Sequence, residues 1–378
     1  MDKTAVSFEN CPDYSQAAVQ DAVGRAMDGI GGLNDIIQPG MSVLLKPNML
    51  TDRPPEGAVT THPEIVRAVI RLVRKHGGTP VVADSPANVT KIERVWEKTG
   101  FRALCDEENV PLVNLERAGS SAVTVNNITF TIAQPVLDAD VIITIPKVKT
   151  HMLTIFTGAV KNLYGTVPGF QKTTLHKLHP RPDDFGRVIA AIYGRLKPRL
   201  AIADAVVGMD GEGPSSGNPV TLGLVAASRD SVALDIALCR ALKIDIRAVP
   251  YFKPLAEAGL GETDPARIHV TGSMAKHNFP GRFHVPSSLP GRLIPGPLVR
   301  LLQPFVWIRP RFTERCVSCG RCVKACPAGA LVIQAKGRPI LAGDKCIECC
   351  CCHEVCPEKA VEMHLSPLLG FFRRGRLP

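Results

Sequence analysis

Two runs of cysteine near the C-terminus constrain this 378-residue chain more than any other feature. Cys316, Cys319, Cys322 and Cys326 are followed by Pro327, and Cys346, Cys349, Cys352 and Cys356 by Pro357. Each run reads C-x2-C-x2-C-x3-C-P. An iron–sulfur cubane needs four thiolates at tetrahedral corners. Three cysteines at two-residue gaps can wrap three irons from one tight loop while the fourth comes from elsewhere, and this spacing is that of [4Fe–4S] binding. Zinc is the alternative, but zinc sites pair two ligand couples across a longer gap. Disulfides are a second alternative. They conflict with the polar, mixed-charge opening Met1–Asn10, which lacks a hydrophobic secretory leader and predicts a reducing cytoplasmic setting.

The two runs resemble the two-cluster bacterial ferredoxins, over residues 311–365. That resemblance implies two [4Fe–4S] clusters in a small α+β domain, with the last cysteine of each run serving the other cluster. The implied ligand sets are Cys316, Cys319, Cys322 and Cys356 for one cluster, and Cys346, Cys349, Cys352 and Cys326 for the second. One departure stands out: Cys350 and Cys351 sit inside the second run, making four consecutive cysteines. They read as non-ligating neighbours, with alternative ligation or an oxidation-sensitive thiol left open. Cys11, Cys105 and Cys239 are scattered and read as buried, inert thiols.

The chain is too long for one ferredoxin module and long enough for a large core besides it. An apolar content of 45% with only 5% aromatic suits an α/β protein built from Ala, Val, Ile and Leu. A net charge of +10 raises nucleic acid as a partner. The basic residues are spread and not interleaved with aromatics, so an acidic protein, an anionic small molecule or a membrane surface fits better. No apolar run is long enough to span a bilayer.

In chain order, apolar positions along Gln16–Ile30 define one face of a helix ended by Gly31-Gly32. Met41–Lys46 reads as a buried strand, and Thr61-His62-Pro63 opens a helix whose inner face is Ile65, Val66, Val69, Ile70 and Val73. Thr79–Asp84 is a further strand, completing a βαβ unit. Val141–Pro146, Arg199–Asp204 and Val220–Ala227 follow the same apolar pattern, and a helix covers Ser231–Leu242. The fold expected is α/β: a large open, mostly parallel sheet domain with helices over residues 1–277, plus the small C-terminal α+β ferredoxin-like domain. Residues 278–310 are rich in Pro, Gly and Arg and read as a linker. Within it, Leu293–Ile308 reads as a docking helix, with an interfacial membrane segment as the alternative. Together with the basic tail 366–378, that alternative is compatible with peripheral membrane contact.

Polar residues gather at the expected C-terminal ends of the strands, where open α/β sheets bind ligands. Lys46, Asn48, Asp84, Asp204 and Asp210 are the candidates there for substrate binding. The densest stretch runs from Ile145 to Gly169. It is expected to leave a strand and present Lys147, Lys149 and His151 on a loop, then Gly158, Lys161 and Asn162. Glycine admits a ligand close to the backbone while lysine and asparagine supply charge and hydrogen bonds to an anion or carbonyl. Lys147, Lys149, His151 and Lys161 are the candidate catalytic groups, and Asn162 joins the binding set.

Lys46-Pro-Asn48, Thr61-His62-Pro63, Asp84-Ser-Pro86, Lys147-x-Lys-Thr-His151, Gly158-Ala-Val-Lys-Asn162 and Asp204-Ala-x4-Asp210-Gly resemble the motifs of a bacterial and archaeal family, the domain-of-unknown-function 362 (DUF362) proteins. Its members often carry a C-terminal ferredoxin. The resemblance implies an iron–sulfur protein and no defined reaction. A looser likeness, through His151, Lys161 and Pro168-Gly169, is to the nickel-pincer lactate racemases, with His176 and His179 as further candidates by position. No G-x-G-x-x-G follows the early strands, so a nicotinamide or flavin site lacks support. The reading is a cytoplasmic iron–sulfur protein that takes electrons from a donor protein and passes them to an anionic or carbonyl-bearing substrate. The alternative is an electron carrier or assembly protein whose α/β domain docks a partner enzyme. A further cofactor on that domain is left open.

Overall fold

The computed structural model describes residues 3–86, 91–277, 279, 283–286, 307–334 and 337–367. The proposed docking helix, apart from its last residues Trp307 and Ile308, and all but the first residues of the basic tail lie outside them. The large domain carries strands β1 (Thr4–Asn10), β2 (Ser42–Pro47), β3 (Thr79–Asp84), β4 (Leu112–Asn114), β5 (Ser120–Val125), β6 (Ile128–Ala133), β7 (Val141–Ile145), β8 (Lys147–His151), β9 (Ile155–Thr157), β10 (Leu200–Asp210), β11 (Asn218–Ser228) and β12 (Ile268–Thr271). One ten-stranded sheet runs β12-β1-β11-β10-β7-β2-β3-β4, with β8 attached to β10 and β9 to β8, while β5 and β6 form a separate hairpin.

The centre of that sheet is parallel: β10, β7, β2, β3 and β4 pair in sequence in one direction. All five residues of β7 are buried, as expected of a strand covered by helices on both faces. Two apolar cores fill those faces. The helices Gln16–Gly29 and Pro63–Lys75 pack on one, and Pro182–Leu196 and Ser231–Ala241 on the other. The helix at Pro63 starts where its sequence says it should. His62 caps it by accepting from the Glu64 amide at 3.2 Å, Pro63 fills the first turn, and Arg74 and Lys75 sit in the last.

One local expectation fails. Residues Lys147–His151 form a strand, not a loop: β8 pairs parallel with the far half of β10 and antiparallel with β9. It can do so because β10 continues past Asp204 to Asp210 after a bulge at Ala205/Val207. The β10 and β11 strands are antiparallel partners.

The small domain has strands β13 (Ile308–Phe312), β14 (Leu331–Ile333), β15 (Pro339–Leu341) and β16 (Val361–Leu365), paired antiparallel as β13–β16 and β14–β15. Its two halves repeat one backbone plan. Ser318 and Gly320 have φ of 53° and 73°, Glu348 and Cys350 have 58° and 62°, and a short helix follows each pair. Cys350 therefore occupies the left-handed position that Gly320 fills in the first half.

The two domains are pinned together through backbone carbonyls. Arg53 donates to Cys356 O at 2.7 Å and Pro357 O at 2.9 Å, and Ser215 donates from Oγ to Glu354 O at 2.7 Å. Lys359 reaches Gly217 O at 2.8 Å, and His353 Nε2 lies 2.8 Å from Glu212 O. Arg321 pairs with Asp52 at 2.9 Å, and Met152 of the large domain packs into the ferredoxin core. The β10–β11 loop, with its cis Gly213-Pro214 bond, supplies much of this seam.

Gly158 precedes the one-turn helix Ala159–Asn162, whose first amides at Ala159 and Val160 donate to buried Asp235 at 2.6 and 3.1 Å. A Cβ on Gly158 would sit 2.1 Å from Asp235 Oδ1. Because that oxygen is fixed by its donors, Gly158→Ala is expected to lose about 1–3 kcal/mol as overpacking does. Urea denaturation would measure it, and an unchanged midpoint would refute the clash.

Candidate functional site

The cysteines come first, because they follow from the backbone plan just described. A cavity of about 20 Å3 is ringed by Cys316, Cys319, Cys322 and Cys356. A second of about 20 Å3 is ringed by Cys326, Cys346, Cys349 and Cys352, with Cys350 also on its wall. Each set takes three thiols from one run and the last from the other. Burial, followed by the neighbouring Cys356, Cys319 and Cys316, pushes the Cys322 thiol up to about 11. Crowded thiols of this kind fit an iron–sulfur group, whose iron supplies the positive charge they lack.

A larger cavity, of about 120 Å3, lies between the two domains. The α/β domain lines it with Lys46, Asn48, Asp84, Lys149, His151, Thr157, Lys161, Asn162, Tyr164, Lys172 and His176. The ferredoxin module contributes Lys324, Ala325, Cys351, Glu354 and Val355. Thus β2, β3, β8, β9 and the turn at 158–166 converge on the short helix that holds Cys351 and Cys352.

Lys46 and Asp84 pair at 2.7 Å, fully buried, and Asp84 also accepts from the Met49 and Ser85 amides. Gly165 lets the chain cross this pair, since a Cβ there would fall 2.5 Å from Asp84 Oδ1. Among the described residues Lys149 has no acid in ion-pair contact. It donates to Asn48 Oδ1 at 2.7 Å and Val59 O at 2.6 Å, and Asn48 in turn donates to Asn162 Oδ1. Burial, then the charge of Lys161, drives the Lys149 ammonium well below its usual range. Lys161 lies over the Tyr164 ring at 5.9 Å. Lys172 donates to Ser85 Oγ at 2.7 Å and Pro86 O at 2.9 Å.

His151 accepts the Leu153 and Thr154 amides on Nδ1, at 3.0 and 3.3 Å, which leaves the proton on Nε2. Burial and then Lys161 hold it down to about 3, so the ring is neutral at physiological pH. Its Nε2 lies 3.2 Å from Glu354 Oε1. Burial likewise lowers His176 to about 4. The ring stacks on Phe185 with Nδ1 unpartnered.

The candidate residues thus divide. Lys46, Asn48, Asp84, Lys149, His151, Lys161 and Asn162 meet in one cavity. Lys147, Asp204 and Asp210 do not. Lys147 forms a fully buried pair with Asp204 at 2.7 Å, and Tyr14 OH and the His62 amide donate to the same carboxylate. Asp210 accepts from the His284 amide at 3.0 Å and contacts its ring. These are structural anchors, separated from Lys149 by the irregular β8–β10 register. His176 lines the cavity and His179 does not. Sequence reasoning placed Thr157 beside Gly158 without giving it a role, and passed over Tyr164, Lys172 and Glu354. Only Glu354, which with Glu348 is one of two acids inside the second cysteine run, left a local signal.

Burial lowers both Lys161 and Lys172 to about 8, partly offset by Glu354 and Asp84 respectively. Folded values below the unfolded 10.5 mean that the folded state binds fewer protons. Burying these charges therefore costs stability below pH 8, and the cost is relieved as pH rises from about 8 towards 10.5. Anion affinity takes the opposite course. It is expected to be constant below pH 7 and to fall as pH rises through about 8, where both ammonium groups lose their charge. Calorimetric titration with acetate across pH 6–10 checks this, and a flat profile would contradict it.

Among the described residues no helix is long and apolar enough to cross a membrane. The sequence profile of a 4Fe-4S binding domain matches residues 310–332, so the C-terminal module is a 4Fe–4S-binding, ferredoxin-like domain of the electron-transfer type. The thylakoid-associated protein sll1697 of Synechocystis sp. is 33% identical over 261 residues, covering 68% of this chain and 81% of that protein. Among solved structures, the lactate racemase apoprotein from Thermoanaerobacterium thermosaccharolyticum aligns with a TM-score of 0.42 at 13% identity, over 62% of this chain and 56% of that one. The profile of the family described as "Domain of unknown function (DUF362)" matches residues 43–240, which hold every α/β-domain residue lining the interdomain cavity. With that match and the cyanobacterial relative together, the chain belongs to the DUF362 family.

Proposed function

We propose that this protein is a low-potential iron–sulfur reductase that carries two [4Fe–4S] clusters and acts on an anionic or carbonyl-bearing small molecule in the interdomain cavity. The observation that carries this reading is that Cys351 and Glu354, from within the second cysteine run, line the same cavity as Lys149, His151 and Lys161. The clusters would be held by the two crossed cysteine sets and would supply single electrons at a potential that hydride carriers do not reach. Lys161 and Lys172 hold the anionic end of the substrate, with Lys149 as a hydrogen-bonding neighbour. Burial of the site strengthens their field, because little water screens it. His151, fixed by two backbone amides with its proton on Nε2, is placed to donate a hydrogen bond, and Lys161, close to neutral pH in its proton affinity, is placed to return a proton.

An electron-donor protein would meet the exposed edge of the module, where Cys319 is exposed and Val317 is 64% exposed. The free thiols suit a reducing compartment such as the cytoplasm, and attachment to a membrane face, as the relative's name states for that protein, is compatible with it. The test is to replace Lys161 and His151 by alanine in anaerobically prepared protein. Cluster content by native mass spectrometry is expected to be unchanged while each variant fails to complement a strain lacking the protein. Full complementation by both would sink the reductase reading and leave an electron carrier.

A further inference from the structure

The two thiol-ringed cavities of the ferredoxin module are alike in their cysteines and unlike in their charges. The wall of the cavity ringed by Cys316, Cys319, Cys322 and Cys356 also carries Arg321 and Glu358, and Glu358 is exposed to solvent. The half-buried guanidinium of Arg53 sits at the same end, donating to the carbonyl of Cys356 itself at 2.7 Å and to that of Pro357 at 2.9 Å. Its other contact is the carbonyl of Ser215, and among the described residues no acid lies in ion-pair contact with it. Arg321 pairs with Asp52 at 2.9 Å, but Arg94 takes the same carboxylate at 2.6 Å, so one acid answers two guanidiniums. The second cavity, ringed by Cys326, Cys346, Cys349 and Cys352, has Glu348 as its one charged wall residue among the described residues. Arg309, whose charge Glu348 feels, pairs with exposed Asp344 at 3.2 Å.

Exposure divides the two sets in the same way. Cys319 of the first set is exposed, whereas no thiol of the second set is. Amide hydrogen bonds to sulfur are matched: Ala360 donates to Cys356 and Ala330 to Cys326, each at 3.2 Å. The second set has one more, a thiol hydrogen bond between Cys351 and Cys349, and S–H is a weak donor. An oxidised [4Fe–4S] cluster takes up one electron and no proton on reduction, so it gains one negative charge. Fixed cations and solvent favour that charge, and a nearby carboxylate opposes it. Two guanidiniums in a half-buried seam therefore outweigh one weak thiol donor.

We propose that Arg53 and Arg321 set the cluster of the first cysteine run at the higher reduction potential, so that it is reduced before the cluster of the second. Arg53 belongs to the α/β domain, which thereby tunes a cluster that it does not ligate. The proposal rests on the reading of the two cysteine sets as [4Fe–4S] ligands and names which of them takes the first electron.

The experiment is a mediated reductive titration of the full-length, cluster-loaded protein with titanium(III) citrate, read by electron paramagnetic resonance. Two one-electron steps are expected. Cys356→Ser, which keeps the cluster of the second run, should show only the lower step, and Cys326→Ser only the higher. Arg53→Met and Arg321→Met should each move the higher step to lower potential and leave the lower step in place, with iron still at about eight per chain. Arg53→Lys keeps the charge without the guanidinium fork and should recover most of the Arg53→Met shift. A single step for both clusters, the reverse assignment in the cysteine variants, or an unmoved higher step in either methionine variant would overturn the proposal. Equal shifts in Arg53→Lys and Arg53→Met would overturn it too, because the charge would then not be the cause. Iron well below eight in the unaltered protein would remove the two-cluster reading and this order with it. The reductase reading is judged separately, by whether alanine at Lys161 and His151 abolishes complementation.

Discussion

Asp204→Ala is expected to destabilise the α/β domain by about 3–5 kcal/mol, the range for removing one partner of a buried ion pair. Lys147 and Asp204 are both inaccessible to solvent and 2.7 Å apart. With the carboxylate gone, the Lys147 ammonium would keep only Tyr14 OH at 2.8 Å and Val207 O at 3.0 Å, and no negative charge. Two further donors, Tyr14 OH and the His62 amide, would lose their acceptor, and the His62 amide opens the helix at Pro63. Guanidinium denaturation measures the loss. The double substitution Lys147→Met with Asp204→Leu should cost clearly less than the two single changes summed, because no charge is then stranded. A single-variant loss below about 1 kcal/mol would mean that water reaches the pair.

Cys356→Ser is expected to remove the cluster held by the first cysteine run and to spare the one held by the second. The cavity ringed by Cys316, Cys319 and Cys322 is closed by Cys356, which lies in the second run of the sequence. Iron should fall from about eight to about four per chain. Alkylation followed by peptide mapping identifies which half is emptied. Cys316, Cys319 and Cys322 should become reactive in Cys356→Ser while Cys346, Cys349 and Cys352 stay protected, and Cys326→Ser should give the reverse pattern. Loss of protection at Cys346, Cys349 and Cys352 in Cys356→Ser would show that each run serves its own cluster.

What could be read from the sequence follows the range of the forces involved. The helices at Gln16 and Pro63 and the apolar strands β2, β3 and β7 were legible, because periodicity, caps and burial are written locally. The cysteine spacing was legible for the same reason. Strand β8 was not: Lys147, Lys149 and His151 have little strand propensity, and their pairing depends on β10 extending past a bulge. Alternation along β8 placed Lys147 and Lys149 together, yet the register shift sends one to Asp204 and the other to the cavity. Tyr164 and Lys172 became members of the site only through the turn that brings this segment across β2, and no local pattern announces that. Cys350 read as a non-ligating neighbour in the sequence, with no reason for its place there. Its backbone, with φ of 62°, matches the glycine of the other half, so the position is set by the turn as well as by any sulfur chemistry.

The atoms that fasten the ferredoxin module to the large domain include the main-chain carbonyls of Glu354, Cys356 and Pro357. These belong to the segment that must wrap around iron, so docking and metal uptake draw on the same few peptide groups. A chain whose cysteine loops are not held in shape presents those carbonyls poorly to Arg53 and Ser215, and the wall formed by Cys351 and Glu354 loosens with them. Cluster loading and domain docking are therefore expected to report on one another, because they share the peptide groups of residues 354–357.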